Sequence, residues 1–268
     1  MDHFARLAAY SPILFLLVLF ALMIVAREIG IRLGRRHAAR DSSVEGVGVV
    51  VGSMLGLLAF VLALTLSSST TRFHERRQAT LEEANAISTA WSLTQAVGGA
   101  EAAGIDRMMA EYIQIRREFV AAPPAPALLA DIERHSGDLQ AQMRDLAARV
   151  MREHPTQLTE PLLGQLDAAF GAATTTRFAF SSRLSPQIFW LLLAMTCISV
   201  AGLGYQIGMR GQTLRVLSTL IIAMWAALIM DILDLGTARI GTIATDTSVY
   251  QWVLDDRTGA ERTPDPGP

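Results

Sequence analysis

Hydrophobic residues along this chain fall into four long runs, and one long polar segment separates the second run from the third. The runs cover residues 7–26, 46–71, 184–209 and 213–235. Each is long enough to cross a bilayer as an α-helix, which takes roughly 20 residues. The pattern therefore predicts four transmembrane helices in two pairs.

The polar segment, residues 72–183, keeps the spacing of amphipathic helices. Residues 72–120 are expected to form one long helix, or two with a break at Gly98-Gly99. Helices are expected to end at Pro123-Pro124 and at His154-Pro155, because proline disfavours a continuing helix. We therefore expect a helical hairpin or small bundle outside the membrane. The tail TGAERTPDPGP has the composition of a disordered segment.

The predicted class is an all-α integral membrane protein with a helical extramembrane insert between spans 2 and 3. Its predicted parts are a first transmembrane pair, the extramembrane domain, a second pair with a following segment, and the tail: residues 1–71, 72–183, 184–257 and 258–268.

Composition agrees with a membrane protein and gives no sign of chemistry. Hydrophobic residues make up 51% of the chain and its mean hydropathy is +0.34. A net charge of −2 does not suggest nucleic-acid binding. The single Cys197 and five scattered histidines form no metal-binding pattern, and no nucleotide loop or nucleophile elbow is present. We therefore expect no catalytic residue, cofactor or metal, and no enzymatic activity.

The second run has an unusual periodicity. Every fourth position is glycine or a large apolar residue: Gly48, Gly52, Gly56, Phe60 and Leu64. Residues four apart share one face of a helix. Such a face could be a packing seam in which glycines let helices approach closely, or it could line an ion pathway. Both interpretations stay open.

Hydroxyl and basic side chains follow that face. Ser67, Ser68 and Thr71 could replace part of the water shell of an ion, or could bond back to carbonyls of their own helix. Arg72 and Arg76 could form a positive vestibule around an axis, or could anchor the helix at the lipid headgroups.

The fourth run carries two carboxylates, Asp231 and Asp234, which lie three residues apart. The uncharged core of this run, residues 216–230, has 15 residues. A helix of that length spans about 22 Å, whereas the bilayer core is roughly 30 Å thick. The carboxylates are therefore drawn towards the interface or into it. A cation site and ion pairing with Arg215 or Arg239 are both open.

Several short words in the sequence are similar to those of a known family. They are Gly56-Leu57-Leu58-Ala59-Phe60, Arg72-Phe73, Glu75-Arg76-Arg77, and Glu83-Ala84-Asn85-Ala86-Ile87. With the order of two spans, helical insert and two spans, they resemble the bestrophin-like family of bacterial membrane proteins, formerly a domain of unknown function. Asp234-Leu235 and Arg239 match part of the word that follows the last span in that family.

A fainter similarity connects the chain to the bestrophin channels, which are pentamers with a hydrophobic neck on the second helix. The resemblance implies that Gly56, Phe60 and Leu64 occupy the neck positions, although glycine departs from the large apolar residues found there. The acidic calcium clasp of the animal channels has no match, so calcium gating is not expected.

The implied function is an oligomeric channel in the inner membrane that passes small inorganic ions, with anions favoured over cations. The expected partners are membrane lipid, small ions and further copies of the chain. The alternative is a non-conducting scaffold or sensor whose helical insert binds a partner. The orientation of the helices in the membrane stays open. Arginine counts around the first span favour a periplasmic insert, whereas the comparison with the bestrophin channels favours a cytoplasmic one.

Overall fold

The computed structural model describes residues 12–38, 44–153, 155, 158–182, 185–211, 214–239, 243 and 245–258. In these residues the backbone forms α-helices and no strand. The helices are α1 (Pro12–Ala38), α2 (Val44–Val97), α3 (Ala100–Ala121), α4 (Pro126–Glu153), α5 (Thr159–Ser181), α6 (Pro186–Arg210), α7 (Arg215–Gly236) and α8 (Ser248–Thr258). The first residues of the predicted first span, 7–11, and the predicted tail beyond residue 258 lie outside the described part of the chain.

Four of the helical segments are long and apolar enough to cross a membrane, as the hydrophobic pattern predicted. They are Ile13–Ala38, Gly46–Val97, Pro161–Arg210 and Arg215–Gly236. The chain thus has the helices of a multi-pass membrane protein.

The two N-terminal helices are longer than the apolar runs that predicted them. α1 continues twelve residues past residue 26, and α2 runs for 54 residues, through the predicted boundary at residue 71. Hydropathy marks where a helix would leave the bilayer, whereas a helix ends only where its backbone is interrupted. Arginine, glutamate and alanine, frequent after residue 71, are good helix formers.

Of the two alternatives for residues 72–120, the structure has the one with a break at Gly98-Gly99, and the helices on either side of Pro123-Pro124 end and begin as expected. α2 ends before Gly98 and Gly99, whose φ angles of +66° and +92° lie in the region that favours glycine. α3 ends at Ala121, just before the Pro123-Pro124 pair, and α4 ends at Glu153. α8 was not predicted, since its eleven residues carry too short a pattern to indicate a helix.

The chain divides into two compact units. Unit 1 comprises residues 1–72 and 183–243. Its core contains side chains from α1, the first part of α2, α6 and α7, among them Met23, Leu58, Leu62, Val200 and Ile222.

Helices α1 and α6 run parallel within unit 1 and are in backbone contact. Methyl groups built on Gly30 and Gly34 would overlap the carbonyl oxygens of Ala201 and Tyr205. Built on Gly204 and Gly208, they would overlap those of Arg27 and Ile31. The two Gly-x-x-x-Gly pairs therefore form the small-residue seam that lets two apolar helices approach closely.

Unit 2 comprises residues 73–182 and 244–268. Its described part is a helical bundle made from the later part of α2 with α3, α4, α5 and α8. Apolar side chains spaced three and four apart fill its core, as the amphipathic pattern predicted: Ile87, Ile105, Tyr112, Met143, Leu162 and Leu166 are all fully buried.

Candidate functional site

The face of α2 that carries the predicted neck positions points away from the helices of its own unit. Phe60 is 60% exposed and Leu64 is 56% exposed, although both are large and apolar. Gly56 is exposed as well, and a methyl group built on it would meet no atom within 4 Å. Within one chain, therefore, these three residues do not belong to the packed bundle.

The opposite face of α2 supplies the packing contacts of unit 1. Leu58 and Leu62 are fully buried in its core, and Thr65 and Ser69 are buried as well. At about 100° per residue, Leu58 and Leu62 each lie about 160° from Phe60 around the helix. Because both faces are apolar, the hydrophobic pattern alone could not distinguish the packed face from the open one.

The glycines of α2 divide between two environments. A methyl group on Gly48 would come within 3.2 Å of Gln206 Nε2 and 3.5 Å of Arg210 Nη2, whereas one on Gly52 would meet nothing within 4 Å. Packing within the protomer thus accounts for Gly48 but not for Gly52 and Gly56. The seam that the packing interpretation expected is formed by α1 and α6 instead.

The hydroxyl residues after the neck also lie on different faces. Ser67, Ser68 and Thr71 are exposed, while Ser69 is fully buried. Thr71 donates a hydrogen bond of 3.1 Å to the carbonyl oxygen of Ser67. The Thr71 hydroxyl therefore bonds back to its own helix, as one of the two interpretations expected, and its exposed oxygen can still accept a hydrogen bond or contact an ion.

The two arginines assigned to the pore mouth differ in burial. Arg72 is half-buried, and Arg76 is only 1% exposed inside unit 2, where its guanidinium carbon lies 5.9 Å from the Phe73 ring centroid. Within one copy of the chain, therefore, Arg76 is a buried side chain of unit 2.

The two carboxylates of α7 have different surroundings. Asp231 is exposed, whereas Asp234 is 4% exposed. Residues three apart differ by about 60° around a helix, and the edge of the buried face falls between them. Asp234 is therefore the buried ionisable group of this helix, and Asp231 is the accessible one.

A buried arginine on α1 forms a polar cluster that sequence reasoning did not identify. Arg27 Nη1 donates to Thr219 Oγ1 at 2.6 Å and to Ser218 Oγ at 3.2 Å. Its Nη2 pairs with Glu28 Oε1 at 2.9 Å. The cluster connects α1 to α7 inside unit 1. The adjacent Arg-Glu pair was visible in the sequence, but the hydroxyl partners are about 190 residues away.

Unit 2 contains a buried ion pair that was also missed. The Arg116 guanidinium contacts the Glu83 carboxylate through Nε and Nη2, the latter at 3.2 Å, and its Nη2 also donates to the Ala173 carbonyl oxygen at 3.3 Å. Burial disfavours the charged form of Arg116, but Glu83 outweighs it and raises the pKa of the guanidinium above its usual value. Arg116 therefore stays charged, and its contacts with Glu83 and Ala173 join α2, α3 and α5.

Two tyrosines lie close to this ion pair. Tyr112 accepts a hydrogen bond of 2.9 Å from Gln140 Nε2, and burial raises the pKa of its phenol to about 12. Tyr250 of α8 is fully buried, and burial, reinforced by the Glu83 carboxylate, raises the pKa of its phenol as well. Both phenols are neutral at physiological pH.

A second set of contacts holds α8 against α2. Arg257 donates to Gln95 Oε1 at 2.8 Å and to the Ser88 carbonyl oxygen at 2.9 Å, and its guanidinium lies 5.7 Å from the Trp91 ring centroid. Trp91 Nε1 in turn donates to Asp106 Oδ1 at 2.6 Å. These contacts are structural. In the part of the chain that the structure describes, no cluster of three His, Cys, Asp or Glu side chains is placed to hold a metal ion.

The fold defined by these helices is similar to that of a bacterial bestrophin homolog. The chain superposes on the crystal structure of a bacterial bestrophin homolog from Klebsiella pneumoniae, solved with a single tyrosine-to-alanine mutation, with a TM-score of 0.67. The match covers 93% of this chain and 100% of that one, at 15% sequence identity. This confirms, at the level of the fold, the resemblance that the short words indicated.

No family model matches the sequence. No curated protein matches it either.

Proposed function

We propose that this protein is an oligomeric bestrophin-like ion channel of the inner membrane, in which α2 of each copy lines a shared axis. The observation that carries the proposal is the open face of α2. Gly56, Phe60 and Leu64 share this face and are exposed, although the helix belongs to a packed unit. Such a face needs a partner, which is either lipid or the same face of further copies.

Several copies of this face around an axis would form a graded pathway. Rings of Phe60 and Leu64 would make a hydrophobic constriction, which can gate by dewetting. A ring of Gly56 would leave a wider section on one side of the constriction. Ser67, Ser68 and Thr71 would offer hydroxyls to an ion on the other side. Pentameric assembly is part of the proposal by resemblance.

Small anions are the favoured cargo. Arg72, half-buried just beyond the hydroxyl residues, would add one positive charge per copy near the mouth and raise the local concentration of anions. Arg76 is left out because it is buried. Asp231 and Asp234 are the groups that would favour cations instead, and the exposed Asp231 is the more accessible of the two.

Planar-bilayer recording from purified protein tests this function. Wild-type protein is expected to carry ionic current, and Phe60→Ala is expected to raise conductance or open probability because it widens the constriction. Met224→Ala is the matched control, since Met224 on α7 is a similarly large apolar residue and 62% exposed. Absence of current, or equal currents from both variants and wild type, would contradict the proposal.

A non-conducting scaffold or sensor is the second candidate, and one observation favours it. Unit 2 exposes large apolar side chains that its own bundle does not cover: Leu81, Phe178 at 73% and Trp252. An exposed apolar surface is typical of a protein-binding site. A scaffold predicts no current and an axis filled by side chains, so the same recordings separate the two candidates.

A further inference from the structure

A cavity of about 170 Å³ lies in unit 1 beside the turn that joins α6 to α7. Its walls are mainly apolar, with Leu203, Ile207 and Ile221 among them, and its polar lining comes from Gln206, Arg210 and Ser218. The cavity therefore combines a hydrocarbon-like wall with hydrogen-bond donors and one permanent positive charge.

The cavity lies at the end of the membrane-crossing helices. Gly211, just after Arg210, adopts a φ of +66° and ends α6, and α7 begins at Arg215. Gly48, near the start of α2, lies beside Gln206 and Arg210. At such an end, a cavity between spans opens at the level of the lipid headgroups.

This end of unit 1 carries an excess of positive charge. Five exposed arginines belong to the last turns of α1 and to the turn between α6 and α7: Arg32, Arg35, Arg36, Arg210 and Arg215. Among the side chains that the structure describes, which do not include those of residues 39–45, no carboxylate lies within 4.0 Å of any of these guanidinium groups.

A further arginine stands behind the cavity wall. Arg27 holds the Ser218 hydroxyl from inside the unit through its Nη1, at 3.2 Å. Ser218 also lines the cavity, so its oxygen is oriented by a charged donor. Glu28 forms an ion pair with Arg27 Nη2, and Arg210 has no such ion pair among the side chains that the structure describes.

We propose that this cavity is a binding site for the headgroup of an anionic phospholipid. The phosphodiester would accept hydrogen bonds from Arg210 and Gln206, and the first carbons of an acyl chain would lie along the apolar wall. The rest of the acyl chain would lie along the exposed surface of α7, where Leu217 and Leu220 face outwards. Basic pockets between membrane helices are suited to such headgroups.

The apolar wall favours a lipid over a free phosphate. A soluble phosphate would gain only the polar contacts, whereas the acyl chain of a lipid would also fill the apolar part of the cavity along Leu203, Ile207 and Ile221. The proposal depends on the chain being embedded in a membrane and does not depend on ion conduction.

Native mass spectrometry of the detergent-solubilised full-length protein tests the site. Phosphatidylglycerol, phosphatidylcholine and soluble glycerol phosphate are titrated separately onto wild type and three variants. Arg210→Gln removes the charge at the cavity, and Arg210→Lys keeps it. Arg32→Gln is the matched control, because Arg32 is an exposed arginine at the same end that does not line the cavity.

The expected result is preferential binding of phosphatidylglycerol. Its affinity should fall about tenfold in Arg210→Gln, as loss of one charge-assisted hydrogen bond implies, and less than threefold in Arg210→Lys and Arg32→Gln. Equal binding of phosphatidylcholine, equal losses in Arg210→Gln and Arg32→Gln, or equally tight binding of glycerol phosphate would each overturn the proposal.

Discussion

Adding one methyl group to the glycine seam of unit 1 should destabilise the protein, whereas adding one to the open face of α2 should not. Gly30→Ala is the test substitution. An ideal Cβ at this position would lie 2.9 Å from the carbonyl carbon of Ala201 and 2.9 Å from the amide nitrogen of Tyr205. The Ala201 carbonyl oxygen is closer still, and all three obstacles are backbone atoms of α6, which cannot rotate away as a side chain can.

The size of the effect follows from that geometry. Carbon atoms in contact prefer separations of about 3.5–4.0 Å, so α1 and α6 would have to move apart by roughly 1 Å. Overpacking a close interface typically costs about 1–3 kcal/mol, and an unyielding backbone places Gly30→Ala towards the upper end. For a chain of this size, about 2–3 kcal/mol corresponds to a fall in Tm of roughly 5–10 °C.

Thermal unfolding in a fixed detergent, followed by circular dichroism, measures this difference. Gly204→Ala repeats the test from the α6 side, since its methyl group would overlap the Arg27 carbonyl oxygen. Gly52→Ala is the control, because a methyl group there meets nothing within 4 Å and alanine is the better helix former. Its Tm should be unchanged or higher.

Two results would refute the reasoning about the glycines. A fall in Tm for Gly52→Ala as large as that for Gly30→Ala would mean that the α2 glycines pack against something that one protomer does not show. An unchanged Tm for both Gly30→Ala and Gly204→Ala would mean that α1 and α6 do not cross as closely as described.

Three further predictions concern unit 2. Glu83→Gln should lower the free energy of unfolding by about 3–5 kcal/mol, because it leaves Arg116 buried without its counter-ion. The double variant Glu83→Leu/Arg116→Met should recover most of that loss. Chemical denaturation measures both, and equal stabilities of the single and double variants would contradict the account. The free energy of unfolding should fall as pH rises from 10 towards 12. Burial raises the pKa of Tyr112 from 10.0 to about 12, so in this pH range only the unfolded chain releases the phenol proton. A free energy of unfolding that does not change over that range would be inconsistent with a buried phenol. Arg257→Ala should loosen α8, because it removes the contacts to Gln95, Ser88 and the Trp91 ring. Limited proteolysis should then cut near residues 248–258 faster than in the control Arg134→Ala, which alters an exposed arginine elsewhere in unit 2. Equal cleavage rates would contradict the docking of α8 by Arg257.

Sequence patterns predicted most of the fold because it depends on local signals. The apolar runs predicted the four long helices. The Gly98-Gly99 and Pro123-Pro124 pairs marked the positions at which helices of the polar segment break. Helix α8 was not predicted because it is short and is held by contacts such as that of Arg117 with Gln251, which no local sequence pattern indicates.

Side-chain environment was harder to predict than helix position. The charge of Arg76 suggested an exposed mouth, yet its side chain is buried in unit 2. Counting about 100° per residue from Phe60 would have placed Ser69 on the buried face. The partners of Arg27 and Glu83 could not have been found this way, because they are distant in sequence.

The glycines show the same limit. Spacing alone cannot distinguish Gly52 and Gly56, which are open, from Gly204 and Gly208, which touch a neighbouring backbone. Both sets repeat every fourth residue. Only the crossing of α1 over α6 makes the second set a packing seam.

The central claim is that the open face of α2 is turned towards an axis shared by several copies. An experimental structure of the assembled protein in lipid, viewed along the membrane normal, tests it most directly. The account predicts a ring of α2 helices with Phe60 and Leu64 narrowing a continuous opening. Phe60 and Leu64 facing lipid at the outer rim of the assembly would contradict it.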